Sequence, residues 1–169
     1  MFFEEPRTDG LLRGPRAARS ELITALADAP WDLETLLGLH LGLLDHAEDV
    51  RVAAIETVCS IAQKKPDAIA VTPVQLLGCF MHSLTVASGV ECATFRCLVE
   101  LNTTESLEVV KATIESGRGS NPQFEAWVNI LRDANRLEIL RQVDLARLSK
   151  TRRNLLNRVL ARESGARIG

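Results

Sequence analysis

Between Leu36 and Ala62 the chain reads LLGLHLGLLDHAEDVRVAAIETVCSIA, and this stretch limits the fold more than any other. Its first half is almost wholly apolar through Leu36, Leu37, Leu39, Leu41, Leu43 and Leu44. In its second half Val50, Ala53, Ala54, Val58 and Ile61 share one side of a 3.6-residue wheel, and Val52, Ile55 and Cys59 take the other. A helix apolar on two sides is usually covered on both. Asp45-His46-Ala47-Glu48-Asp49 interrupts the run with Asp, a turn former and a helix N-cap whose carboxylate accepts from unpaired backbone N–H groups. Two antiparallel helices with a tight connection are predicted.

A diluted copy follows forty residues later. Leu36-Leu37-Gly38 falls on Leu76-Leu77-Gly78, Leu44 on Leu84, Val50 on Val90 and Ala53 on Ala93. Ile55, Val58 and Ile61 fall on Phe95, Leu98 and Leu101. The polar positions change, since Thr85 stands for Asp45 and Glu91 for Arg51. A period near forty belongs to stacked helical pairs.

The stretch resembles a HEAT repeat over residues 36–101. Asp45, four residues, Val50-Arg51, then Ala53 and Ala54 match that family's pattern. The family's first-helix proline is absent, with Leu37 in its place, so no kink is implied. The resemblance implies that Asp45 and Arg51 tie successive repeats near the turn, with Asp49 beside them. It also implies an all-α fold: a short HEAT-like superhelix of three to four stacked hairpins and seven or eight helices.

Composition agrees with helices. The 169 residues are 46% hydrophobic and 4% aromatic, with no Tyr. Pro6, Gly10, Gly14 and Pro15 make residues 1–15 an arm. Residues 16–163 are then expected to form one helical domain, with 134–163 as a basic cap and 164–169 as a frayed tail. Within it, Asp32 is placed to cap a helix running to about Leu44. Lys64-Lys65-Pro66 closes the main hairpin. Thr72-Pro73-Val74-Gln75 and Asn102-Thr103-Thr104-Glu105 have capping-box spacing, and Pro122 opens a further helix after the loop 117–121.

Charge is uneven: 10 basic and 18 acidic side chains in residues 1–127, against 10 basic and 4 acidic in 128–169. If the C-terminal region is one continuous helix, Arg147, Lys150, Arg153, Arg158 and Arg162 fall opposite a leucine stripe and form a candidate surface for an anion or a partner. Arg152 would lie within that stripe, which requires a side chain that snorkels outward or a break in the helix, for which Asp144 and Ser149 are the candidate places.

Cys79, His82, Cys92 and Cys97 look superficially like a metal set, but Cys92 and Cys97 are about 140° apart around one helix and hardly converge. Buried free thiols are the simpler reading. No nucleophile with a nearby base, P-loop or dinucleotide fingerprint is present. Met1-Phe2-Phe3 runs straight into Glu4-Glu5, without the basic start of a signal peptide, and no apolar run has membrane-span length. A cytoplasmic, reducing compartment is the expectation. The sequence therefore suggests a non-catalytic protein–protein scaffold without a cofactor, whose partner could be a second copy. Nucleic-acid binding through the basic C-terminal helix is the alternative, and a metal or redox role for Cys79, His82 and Cys97 the second.

Overall fold

The computed structural model describes residues 10, 11, 13–64, 77, 78, 81 and 88–166. Among them are eight α-helices and no strand: α1 (Arg16–Ala25), α2 (Leu33–Leu43), α3 (Glu48–Lys64), α4 (Ser88–Leu101), α5 (Thr104–Glu115), α6 (Asn121–Asp133), α7 (Leu137–Arg141) and α8 (Lys150–Ala166). The all-α class expected from the apolar periodicity is present. Residues 1–9, Thr72-Pro73-Val74-Gln75 and most of the forty-residue copy of α2 lie outside the described residues. The chain divides into two compact units, Met1–Cys97 and Leu98–Gly169.

In the first unit α1, α2 and α3 pack against one another. α2 starts where Asp32 accepts the Thr35 N–H at 2.8 Å, satisfying a backbone donor that the helix leaves open. Gly38 and Gly42 stand one turn apart on its inner face. A Cβ at Gly42 would press on Ile23 and approach the Ala54 Cβ to 3.0 Å. Glycine is therefore what lets α1, α2 and α3 close on each other. Ile23, Leu39, Leu43, Val50, Ala54, Ile55 and Val58 form the core beneath.

Burial repeats with the sequence. Along α3, Val50, Ala54, Ile55, Thr57, Val58 and Cys59 are buried while Glu56 is exposed. Forty residues on, Val90, Thr94, Phe95, Cys97, Leu98 and Val99 are buried while Arg96 is exposed. Position by position, the two ten-residue windows share one burial pattern.

In the second unit α6 packs on α7 and α8, and α5 on α7. Trp127, Phe124, Leu131, Ile114, Leu140 and Leu156 fill the core. α5 begins one residue later than the Asn102–Glu105 spacing predicts. Thr103 is the cap and exchanges hydrogen bonds with Ser106, whereas Asn102 turns the chain at φ 52. Asparagine tolerates this left-handed conformation better than other side chains with a Cβ. α6 opens with a capping box between Ser120 and Gln123, with Pro122 in its first turn.

The C-terminal helical region breaks around Asp144 and Ser149, the two places its residues suggest. α7 ends at Arg141, a 3-10 turn covers Leu145–Arg147, and α8 begins at Lys150. Asp144 causes part of this: its side chain accepts the Ala146 N–H at 3.0 Å, while its own N–H donates to Glu115 at 2.9 Å. α8 then runs through to Ala166, past the predicted start of the tail.

Candidate interaction surfaces

Of the three residues assigned to the turn between α2 and α3, Asp45 lies in it, and Asp49 and Arg51 stand at the start of α3. Asp45 takes two hydrogen bonds from the Arg19 guanidinium, at 2.8 and 3.1 Å, and one from the Ala47 N–H at 2.8 Å. Both side chains of the pair are nearly buried, at 11% and 10% exposure. Arg51 donates to the backbone carbonyl of Asp45 at 2.6 Å. Asp49 pairs with Arg16 at 2.7 Å on the open surface. Arg19, which the sequence reading missed, is thus the counter-charge of Asp45. Burial pushes the Asp45 carboxyl up, but Arg19, the Ala47 N–H and His46 together hold it below the usual carboxylate range. The whole arrangement fixes a turn.

The outer side of α2 is different. Leu33, Leu37 and Leu44 are 81%, 50% and 67% exposed. Leu33, Leu37 and Leu44, the residue that caps the helix, fall within roughly 40° of arc on the helical wheel, with His40, Leu36 and Leu41 alongside. Glu34 is the only acidic residue within the helix. These leucines leave an apolar strip of α2 open to solvent.

Of the five basic residues assigned to one C-terminal surface, four lie on α8 and Arg147 precedes it. Arg147 sits in the 3-10 turn, where it pairs with Glu115 at 3.4 Å and with Asp144 at 3.5 Å. Lys150, Arg153, Arg158 and Arg162 are exposed on α8, with no carboxylate against them among the described residues. Arg153 and Arg158 lie on opposite edges of the helix, roughly 140° apart.

Arg152 turns inward. It is only 6% exposed and donates to the Arg118 carbonyl at 2.9 Å, the Gly119 carbonyl at 2.5 Å and Asn121 Oδ1 at 3.3 Å. Its guanidinium lies 4.9 Å from the centre of the Phe124 ring. The loop carbonyls converge because Gly117 and Gly119 adopt φ of 66° and 74°, a region that glycine enters freely. Arg152 is therefore the clamp that holds the α5–α6 loop.

Beside it, α6 and α8 enclose a cleft of about 120 Å³. Val128, Leu155 and Val159 give it an apolar floor, and Arg132, Arg158 and Arg162 a basic rim. Glu125 and Asn129 complete the α6 side. Arg132 is partly neutralised by Asp133 at 3.2 Å.

Cys92 and Cys97 are free thiols, and Cys59 is buried. Burial, then the neighbouring Glu91, push the Cys92 thiol up against the opposing pull of Arg96, which makes its thiolate scarce. Cys79 and His82 lie outside the described residues, among which no three His, Cys, Asp or Glu side chains gather as a metal site. No described helix is long and apolar enough to cross a membrane. No family model matches the chain, and no curated protein or solved structure does so significantly.

Proposed function

We propose that the chain is a short HEAT-like helical array working as a non-catalytic protein-binding scaffold, and that the leucine face of α2 receives an apolar helix of another protein. The observation that carries this reading is the exposure of Leu33, Leu37 and Leu44 on one face of a helix whose opposite face is in the core. Covering them would contribute about 3–6 kcal/mol. With one carboxylate on α2, the face offers little to a charged ligand. The shared burial pattern of α3 and α4 supports the repeat reading, because each helical pair of such an array buries the same positions against its neighbours.

Affinity capture with the wild-type chain and with a Leu33→Asp, Leu37→Asp variant tests the assignment. Both side chains already face solvent, so the variant keeps its circular-dichroism spectrum and melting temperature. The wild type retains a protein that the variant loses. Identical retention by both, or none by either, would count against the α2 face. Sedimentation of the purified chain distinguishes a second copy as the occupant.

The four exposed cations of α8 favour a second reading, nucleic-acid binding along that helix. They point in several directions around α8 and no aromatic side chain stands between them. Duplex binding that weakens steeply with salt and is lost on Arg153→Glu with Arg158→Glu would establish it.

A further inference from the structure

The walls of the α6/α8 cleft match in spacing. Glu125, Val128, Asn129 and Arg132 on α6, like Leu155, Arg158, Val159 and Arg162 on α8, follow i, i+3, i+4, i+7. Each helix thus turns one two-turn face into the cleft. The result is a trough roughly 10 Å long, walled on both sides by helix, the setting of helix-in-groove recognition. Its floor is aliphatic, with Val128 buried and Leu155 and Val159 half-buried. Its cavity of about 120 Å³ has room for an aliphatic side chain.

The rim supplies the charge argument. Arg158 and Arg162 are one turn apart, so the two guanidinium groups repel each other. Neither has an ion pair or hydrogen bond among the described residues. α8 carries Lys150, Arg152, Arg153, Arg158 and Arg162 against Glu163 alone. A carboxylate at the Arg158–Arg162 edge would relieve that repulsion and form charge-assisted hydrogen bonds. Glu125, in the α6 wall, repels a ligand that is anionic along its whole length. The aliphatic floor, likewise, has nothing to offer a phosphate backbone. Both features select a ligand with one apolar stripe and acidic flanks.

The geometry points to the α6/α8 trough as a docking site for an acidic amphipathic helix of another protein, its apolar stripe seated on Val128, Leu155 and Val159 and its carboxylates on Arg158 and Arg162. The site is separate from the α2 face and stands without it.

The test is fluorescence anisotropy with a short labelled helical peptide that carries leucines at i, i+3, i+4, i+7 and glutamates beside them. The same peptide with glutamine for glutamate and a labelled single-stranded oligonucleotide serve as comparisons. The glutamate peptide binds saturably. Affinity falls about tenfold or more in Arg158→Glu with Arg162→Glu, equivalent to about 1.4 kcal/mol. Arg153→Glu, on the far edge of α8, leaves it unchanged, and so does Leu33→Asp with Leu37→Asp. All these side chains are exposed, and matched melting temperatures verify the fold. Absence of peptide binding, equal binding of the glutamine peptide, insensitivity to Arg158→Glu with Arg162→Glu, or tighter binding of the oligonucleotide would each overturn the proposal.

Discussion

Arg19 and Asp45 are 26 residues apart and meet as a nearly buried pair. Removing one partner strands the other charge away from water. Arg19→Ala should therefore lower unfolding free energy by about 3 kcal/mol in urea denaturation, while Arg16→Ala, which breaks the exposed pair with Asp49, should cost under about 1 kcal/mol. The Asp45 carboxyl is held low in the folded chain. Its contribution is then complete above the unfolded value near 4 and disappears as pH falls through the lower folded value. Wild type should exceed Asp45→Asn in stability at pH 7, and the gap should shrink in denaturation curves taken below about pH 4. Arg152 makes a similar case on neutral partners. Arg152→Met keeps the contact with the Phe124 ring but leaves the Arg118 and Gly119 carbonyls unmatched. About 2 kcal/mol of stability should be lost, and amide exchange of residues 117–120 should accelerate.

Among the elements, α2 combines two opposed faces, and each follows from its residues. Its glycines admit α1 and α3 on one side, and its leucines remain open on the other. Gly42→Ala should destabilise by about 1–3 kcal/mol in thermal or urea melts, because Ile23 and Ala54 occupy the space of the new methyl group. The sequence made α2 and α3 legible because periodicity, the Asp32 cap and the Asp45 turn agree. It showed the internal copy too, and matching burial along α3 and α4 is its structural counterpart. The C-terminal break was harder to read. Leucine spacing continues through residues 137–160, so the exact ends of the break rest on local hydrogen bonds such as those of Asp144. The capping box slipped by one residue because Asn102 and Thr103 are both good caps, and a left-handed turn at Asn102 decides between them.

Across the whole molecule, the uneven charge seen in the sequence resolves into separate roles. Arg147 serves a local turn, Arg152 a clamp, and Arg158 and Arg162 the rim of a trough. Counting cations on a wheel could not separate them, since inward and outward positions depend on where α8 starts. Arg19, Arg132 and the exposure of Leu33, Leu37 and Leu44 were equally hidden, because each depends on which helix lies opposite. In the proposed role the outer face of α2 meets another protein. Photo-crosslinking reads this directly, with a photoreactive residue placed in turn at Leu33, Leu37 and Leu44, and at exposed Glu56 on α3 as the control. The account predicts a discrete heavier adduct from the three α2 positions and none from Glu56. Adducts absent from α2, or equally strong from Glu56, would contradict it.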